Sequence, residues 1–505
     1  MRGISWIIPL TVTLPSGEEK RRRMSSVDHL SDRPVQRRET LPRHRSAEGR
    51  HFWTHVSIFF LSILGLMRTR GDEKVRTCDA SLAGDGRRPQ SRGVRPIDLL
   101  KPKLEAKLPE TLDLLRQMVG INSWTRNRAG VDRLARLTAE AFADLGFTAE
   151  HVPSVEPAYG DHLVLTRPGR STKSVAMVAH LDTVFPPEEE ERNDFRWRPE
   201  GDRIYGPGTE DIKGGTAMMW MVLQALRWHR PEAFDAVTWQ LFWNSSEEVL
   251  SEDFGVLCRS RCDDGTLAAL VFEAEGRSGD TRRLVVARKG RATWRVDVAG
   301  RGAHAGGRHA SGANAIVQLG ATVGRIAALT DLARDLTFNV ASVAGGGGLN
   351  RVPHAATVSG EFRAFDPAVQ AQAKAALQAL SGPGEIASVE GGHACQVAVT
   401  ILDESPPWPR NAGTDRLLAL WQEAGAEAGV PIASESRGGL SDGNQIWHAV
   451  PTLDGLGPSG DNAHCSERSA DGSKLPEYVE PGSFVPKAAV NVLALLGLVE
   501  RGGVA

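Results

Sequence analysis

The sequence predicts an α/β fold, because strand-length apolar runs alternate with amphipathic helices from about Pro96 onward. Residues 108–122 and 128–147 carry apolar side chains three and four positions apart, and each pattern runs to a glycine, which is typical of amphipathic helices. Residues 175–179 ("VAMVA") form an unbroken apolar run of strand length. Such a run indicates a strand in a sheet that is buried on both faces.

Composition places the chain among globular proteins with two or more domains. It has 505 residues, of which 41% are hydrophobic and 24% charged, so fibrous and fully disordered classes are excluded. Its five cysteines are an odd number spread over a long chain, and we expect reduced thiols rather than a disulfide framework. Cys258 and Cys262 have a spacing that could suit a metal, but no second Cys/His pair lies near them in the sequence.

The first hundred residues differ from the rest, with 19 Lys and Arg against 11 Asp and Glu. Residues 52–67 are an apolar run flanked by arginines, and they are shorter than the roughly 20 residues that a membrane span needs. We therefore interpret residues 1–95 as a basic, disordered N-terminal extension with a short apolar run. A weak membrane anchor is the alternative. The "KRRR" run has no interleaved aromatic residues, so no nucleic-acid partner is expected.

Ionisable residues follow three of the predicted strands. His180 and Asp182 end the strand at 175–179, the adjacent pair Glu247 and Glu248 follows "AVTWQLFWN", and Glu273 ends "LAALVFE". In open α/β sheets, ligand sites form at the carboxyl ends of the strands. Neighbouring carboxylates such as the Glu pair repel one another, so they need either open water or a cation.

Two further candidates lie in glycine-rich segments. Asp211 precedes an apolar helix within "GPGTEDIKGG", and His464 follows a short strand within "GPSGDNAHCSE". Taken singly, Asp211 could be a helix cap, His464 a hydrogen-bonded structural residue, and the Glu pair a solvated face. Together with the strand-end residues they give two imidazoles and three carboxylates, a donor set that suits zinc-type cations. The candidate metal ligands are His180, Asp211, Glu248, Glu273 and His464.

This donor set favours a two-metal hydrolytic site, in which one acid of the pair binds metal while the other handles a proton. The motifs of other enzyme classes are absent or lack their structural context. There is no G-x-x-x-x-G-K-[ST] loop. G-x-S-x-G occurs at residues 439–443, but no apolar strand pattern leads directly into it, and G-x-G-x-x-G occurs at residues 455–460, but no helix pattern follows it. The sequence therefore predicts a metallohydrolase rather than a serine enzyme or a nucleotide-binding protein.

Seven collinear motifs resemble those of the M20 metallopeptidases, the family of glutamate carboxypeptidase, acetylornithine deacetylase and succinyl-diaminopimelate desuccinylase. The motifs, within about residues 105–500, are "HLDTVF", "YGPGTEDIKGG", "NSSEE", "FEAEG", "GRGAHAG", "GGLSDGN" and "GDNAHCSE". The resemblance implies a zinc-peptidase catalytic domain (96–286 and 398–505) with a mixed central sheet flanked by helices. It also implies an inserted α+β, ferredoxin-like lid and dimerisation domain (287–397).

Roles for the candidate residues follow from the resemblance. Asp211 is expected to bridge two Zn²⁺ ions, or Co²⁺ or Mn²⁺ as substitutes. His180 and Glu273 would complete one ion, and Glu248 and His464 the other. Asp182 would orient His180 by a hydrogen bond. Glu247 would be the general base, taking a proton from water and delivering it to the leaving amine.

The segment after "ARKG" alternates as β-α-β-β-α followed by a strand near "ACQVAVTIL", which resembles the family's lid. The resemblance implies a homodimer through this lid, with His304 reaching the partner's active site to steady the substrate carbonyl. Asn350 and Arg363 match positions that hold a substrate carboxylate, a task that suits an arginine. Alternatively, His304 is a turn residue and Arg363 an exposed strand arginine.

The function implied is hydrolysis of an amide or peptide bond in a small peptide or N-acyl amino acid, with a carboxypeptidase preferred. The alternatives are an N-acyl amino acid deacetylase or desuccinylase, and a non-catalytic binding relative of the same fold. "HLDTVFPPEEE" is most similar to the glutamate carboxypeptidase branch, for which Arg410 is the candidate second basic residue. We expect a cytoplasmic protein without membrane contact. A weak anchor or export is the alternative location.

Overall fold

The structure is a computed structural model that describes residues 96–249 and 251–504. The predicted extension at 1–95 and its apolar run lie outside the described residues. The helices are α1 (Pro96–Val119), α2 (Arg128–Ala143), α3 (Pro187–Arg192), α4 (Lys213–His229), α5 (Pro231–Phe234), α6 (Glu252–Arg261), α7 (Ala315–Ala327), α8 (Pro367–Gln378), α9 (Ala412–Ala428), α10 (Gly443–Ile446) and α11 (Phe484–Glu500). The strands are β1 (Thr148–Val152), β2 (His162–Arg167), β3 (Ser174–His180), β4 (Arg198–Glu200), β5 (Arg203–Tyr205), β6 (Thr238–Asn244), β7 (Thr266–Val271), β8 (Gly276–Ser278), β9 (Thr281–Arg288), β10 (Gly290–Ala299), β11 (Thr337–Gly345), β12 (Ala355–Ala364), β13 (Gly382–Ala387), β14 (Ala394–Ser405), β15 (Ile432–Arg437), β16 (Thr452–Leu453), β17 (Gly460–Asp461) and β18 (Tyr478–Val479).

The central sheet has six strands in the order β1-β2-β6-β3-β7-β16. Strand β3 pairs in parallel with both β6 and β7, β16 is parallel to β7, and β2 is antiparallel to β1 and β6. The sheet is therefore mixed, and the predicted α/β fold with a mixed central sheet is confirmed.

The apolar run in β3 is explained by burial on both sides of the sheet. Val175, Met177 and Ala179 belong to a core cluster with α1, α4 and α11, whereas Ala176 and Val178 pack in a second cluster that includes residues of α6 and α10. Successive side chains of a strand point to opposite faces, so a strand covered on both faces must be apolar throughout.

Helix α11 lies at the centre of the first cluster. Among the described residues, the stretch Pro481–Glu500 is long and apolar enough to cross a bilayer, yet 78% of its most apolar window is buried inside the protein. It packs against α1, α4 and α9. Its composition is thus that of a core helix.

A second sheet has five antiparallel strands in the order β11-β12-β10-β14-β13, and it packs with α7 and α8 around a hydrophobic cluster of its own. The predicted β-α-β-β-α order is present. Strand β13 was not predicted, because "GPGEIA" carries the glycines and proline of a turn. Strand β14 continues to Ser405, beyond the predicted boundary at residue 397, and the domain division itself stays a prediction.

A small sheet in the order β17-β18-β5-β4 brings two distant loops together. Tyr478 of β18 pairs with Asp461 of β17 on one side and with Tyr205 of β5 on the other. The loops that leave β5 and β17 carry Asp211 and His464 respectively. This pairing explains how residues 253 positions apart in the sequence reach the same site.

Candidate active site

Four of the predicted residues lie at the carboxyl ends of three adjacent parallel strands, at one edge of the central sheet. His180 is the last residue of β3, Glu247 and Glu248 begin a 3₁₀ turn that follows β6, and Glu273 lies two residues beyond the end of β7. Because β3 lies between β6 and β7, the carboxyl ends of the three strands meet. The sequence placed Glu273 at the end of its strand, but β7 ends at Val271.

The five predicted ligands form two groups that share Asp211: His180, Asp211 and Glu273, and Asp211, Glu248 and His464. In each group the candidate ligand atoms lie within 4.8 Å of one another. Nε2 of His180 lies 2.9 Å from Oδ1 of Asp211 and 3.7 Å from Oε1 of Glu273. Nε2 of His464 lies 3.3 Å from Oδ2 of Asp211 and 3.2 Å from Oε2 of Glu248. Asp211 thus offers one oxygen to each group, as a carboxylate bridging two cations would.

Raised pKa values indicate that negative charge is concentrated at these groups. Burial and the charge of Asp211 raise the pKa of Glu273 to about 8, and the same two causes raise the pKa of Glu248 to about 7. Hydrogen bonds to Asp211 and Glu248 raise the pKa of His464 to about 11. Metal ligands must be deprotonated, so a divalent cation would replace their protons. Imidazole and carboxylate donors of this kind fit zinc-type ions.

Asp182 connects a candidate ligand to the turn that carries the candidate base. Its carboxylate accepts hydrogen bonds from the backbone N–H of Glu247 at 3.0 Å, that of Glu248 at 3.2 Å, and the hydroxyl of Thr125 at 2.7 Å. Nδ1 of His180 lies 3.0 Å from the backbone oxygen of Asp182 and 3.4 Å from its carboxylate. Asp182 therefore contacts His180 as predicted, and it also positions the Glu pair.

The turn after β6 is held by side chains at each of four consecutive backbone N–H groups. Nδ1 of His162 accepts from Ser245 at 3.1 Å, Oδ1 of Asn244 accepts from Ser246 at 3.0 Å, and Asp182 accepts from the following two residues. Such a turn has little freedom to move. Burial, with the nearby charges of Asp442 and Glu248, holds the pKa of Glu247 well above its usual range.

A cavity of about 330 Å³ adjoins the donor groups and is lined by side chains of both charges. Carboxylates of both groups and Glu247 line it together with four arginines: Arg288, Arg291, Arg363 and Arg437. Arg291 of β10 and Arg363 of β12 are directly opposed in the sheet. Like charges in this arrangement repel, and Glu361 already pairs with Arg363 at 2.7 Å. Of these two arginines, Arg291 is therefore the one available to an anion.

The predicted substrate residues are divided between this cavity and other places. Arg363 lines the cavity, donating to the backbone oxygen of Gly438 at 2.8 Å. His304 and Asn350 are not among the residues that line it in the described chain; they lie together, with the N–H of Ala305 donating to the oxygen of Asn350. Arg410 does not line it either, because its exposed side chain pairs with Asp415 at 2.7 Å.

Sequence reasoning missed Arg288, Arg291 and Arg437. Arg288 is buried and its Nε donates to Asp454 at 2.7 Å, and Arg437 pairs with Glu435 at 2.6 Å. Arg291 alternates with buried residues along β10, which in a sequence looks the same as a solvated strand face. No local signal separates these arginines from surface ones.

Known proteins resemble this chain in sequence and in fold. The profile for "Peptidase family M20/M25/M40" matches residues 176–481. Carboxypeptidase G2 of Pseudomonas sp. (strain RS-16) is 27% identical over 381 residues, 74% of this chain and 85% of that protein. Acetylornithine deacetylase of Vibrio campbellii is 29% identical over 134 residues, 25% of this chain and 33% of that protein. The YXEP protein of Bacillus subtilis, a dinuclear metal binding peptidase, superposes with a TM-score of 0.55 at 13% identity, covering 78% of this chain and 99% of its own.

Proposed function

Because the chain belongs to peptidase family M20/M25/M40, whose members are metal-dependent peptidases and amidohydrolases, we propose that it is a dizinc hydrolase that releases a C-terminal amino acid from a small peptide or acyl amino acid. The observation that carries this proposal is that Asp211 belongs to both donor groups. The similarity to carboxypeptidase G2 over most of both chains favours the carboxypeptidase reaction. The dinuclear metal site named for the YXEP protein supports a pair of ions.

Glu247 is the general base of the proposed reaction. Two divalent ions, when bound, would lower the pKa of a shared water and polarise the scissile carbonyl. Glu247 lines the same cavity and belongs to neither donor group. Cations bound beside it would lower its raised pKa, so that its carboxylate can take a proton. It then delivers that proton to the leaving amine. Asp182 fixes the backbone of this turn, so the carboxylate of Glu247 is placed before substrate arrives.

The test of this proposal is a substrate screen on metal-free protein with Zn²⁺, Co²⁺ or Mn²⁺ added back. Dipeptides and N-acyl amino acids with a free C-terminal carboxylate are expected to be cleaved, and their C-terminal amides are not, because the arginines that line the cavity would lose their anionic ligand. Activity without added metal, or none with any metal, would contradict it.

Deacylation of an N-acyl amino acid is the second candidate function. The local similarity to acetylornithine deacetylase favours it. Both reactions hydrolyse an amide next to a carboxylate-bearing amino acid, so the same residues would serve either. The screen separates them, since a deacetylase would cleave N-acetyl amino acids faster than dipeptides with the same C-terminal residue.

Replacing Arg291 by glutamine is expected to raise KM about 10- to 100-fold for substrates with a free carboxylate, because a hydrogen bond to a charged group contributes about 1.5–3 kcal/mol. Nε of Arg291 is buried without a hydrogen-bond partner in the part of the chain that the structure describes, and Nη2 of Arg291 lies 3.6 Å from the carboxylate of Asp403. This guanidinium is therefore available to a substrate. Arg410→Gln is the matched control, since Arg410 lies outside the cavity. Steady-state kinetics that changed equally in both variants would contradict this role.

We propose that a second copy of the chain covers strand β11, giving a homodimer. This strand is at the edge of its sheet, and Val343 is 61% exposed. Helix α7, which packs against β11, exposes Ile316 and Val317. A long apolar edge strand is a template for pairing with another chain. His304 is not among the described residues that line the cavity of its own chain, which fits a role in the active site of the second copy.

Val343→Lys is expected to shift the protein toward monomer and to lower activity with it. A buried lysine at the edge would put an unpaired charge in the interface. Light scattering coupled to size-exclusion chromatography measures the mass, and Val389→Lys is the control, because Val389 is 89% exposed and lies between β13 and β14. A wild-type protein that is monomeric at micromolar concentration would contradict the proposed homodimer.

A further inference from the structure

A buried carboxylate outside both donor groups connects the two loops that carry Asp211 and His464. Glu477 is fully buried, immediately before β18. Its Oε1 accepts the backbone N–H of Glu210 at 2.8 Å and that of Asp211 at 3.1 Å. Its own backbone N–H donates to the oxygen of Cys465 at 2.7 Å. One residue therefore touches the backbone of the shared ligand and the backbone next to His464.

These two ligands are the ones that most need such support. His180, Glu248 and Glu273 follow strands of the central sheet, whereas Asp211 and His464 lie in loops. The side chain of His464 is 55% exposed, and its φ of 64° is in the left-handed region that residues other than glycine rarely adopt. Loop ligands without backbone support would have to be ordered by the cation itself, which lowers its affinity.

The burial of the Glu477 carboxylate has an energetic cost, which the charge of the buried Lys213 offsets in part. Oε2 of Glu477 is buried and has no hydrogen-bond partner among the described residues. A buried polar atom left unpaired destabilises a protein, and side chains that orient metal ligands are a known reason to retain one.

We propose that Glu477 is a positioning residue that fixes the backbone of Asp211 against the loop of His464, so that both donor groups converge. This inference rests on the metal pair of the proposed function. Its effect should reach both ions, because Asp211 belongs to both groups. The role depends on the acceptor oxygen rather than on the volume of the side chain, and that distinction can be tested.

The experiment compares Glu477→Met with Glu477→Gln by titrating Co²⁺ into metal-free protein and recording its visible absorption. Both substitutions are neutral and similar in size, but only glutamine keeps an acceptor for the N–H groups of Glu210 and Asp211. Glu477→Met is expected to bind Co²⁺ about 10- to 100-fold more weakly, with an altered absorption spectrum. Glu477→Gln is expected to stay near wild type, a rescue that a purely space-filling role would not give.

Asn491→Ala is the control for general loss of stability. Asn491 is buried, accepts from Nε1 of Trp421 at 2.9 Å and donates to the oxygen of Leu456 at 2.9 Å. Its removal is expected to lower Tm without changing Co²⁺ affinity. Equal Co²⁺ affinities in wild type and Glu477→Met, or equal losses in both Glu477 variants, would overturn the inference alone. A wild type that binds fewer than two Co²⁺ ions per chain would overturn the proposed function as well.

Hydrogen exchange on the wild type tests the contact if Glu477→Met does not fold. In metal-free protein, the amides of Glu210 and Asp211 are expected to exchange slowly, because their acceptor is a buried side chain rather than a ligand of the cation. Exchange as fast as that of an exposed loop such as 201–202 would show that Glu477 does not hold them.

Discussion

Replacing Glu247 by glutamine is expected to lower kcat by about 10²- to 10⁴-fold, the range that a positioned general base contributes. Glutamine keeps the size of the side chain and the hydrogen bond from its backbone N–H to Asp182, but it cannot accept the proton from water. The donor groups for metal do not include Glu247, so metal content should stay at the wild-type value. Steady-state kinetics and metal analysis of the same preparation measure the two effects separately.

The control for this variant is Glu252→Gln. Glu252 is an exposed carboxylate in the first turn of α6, five residues after Glu247. It is expected to change kcat little. If Glu247→Gln retained substantial activity with its metals in place, another group would be the base. If Glu247→Gln lost its metals, Glu247 would be a metal ligand. Glu248 would then be the candidate for the general base, the reverse of the roles proposed.

Three of the five candidate ligands that the structure brings together interrupt an apolar run in the sequence. His180, Glu248 and Glu273 follow strands that are buried on both faces, where an ionisable group is costly unless a cation or a set of donors compensates it. An ionisable residue that follows an apolar run can be recognised in the sequence. Strands β3, β6 and β7 of the central sheet could be predicted for the same reason, because burial on both faces leaves an apolar pattern.

The residues that the sequence analysis missed are distinguished only by their contacts and burial in the folded structure. Arg291 becomes notable because Arg363 opposes it across two strands, and register cannot be read from one sequence. Glu477 lies in "KLPEYVEP", a polar stretch in which nothing distinguishes a buried carboxylate from a solvated one. Arg410, the candidate second basic residue, does not line the cavity, because its side chain pairs with Asp415 at the surface.

Asp211→Ala is expected to remove both metal ions, and activity should fall with them. Asp211 gives Oδ1 to the group with His180 and Oδ2 to the group with His464, so its loss takes one donor from each ion. Glu273→Ala and Glu248→Ala each take a donor from one group alone. The expected pattern after dialysis is thus close to zero ions per chain for Asp211→Ala and close to one for the other two. Elemental analysis against protein concentration measures it.

The fall in activity should exceed the roughly 10- to 100-fold cost of losing a hydrogen-bond partner of a metal ligand, because Asp211 is itself a ligand. Asp202→Ala is the matched control, since the side chain of Asp202 is 92% exposed and lies in the turn between β4 and β5. Equal metal content in Asp211→Ala and Glu273→Ala would contradict a bridging carboxylate and reduce the site to two independent ions. Two ions per chain in Asp211→Ala would show that neither ion depends on Asp211 as a ligand.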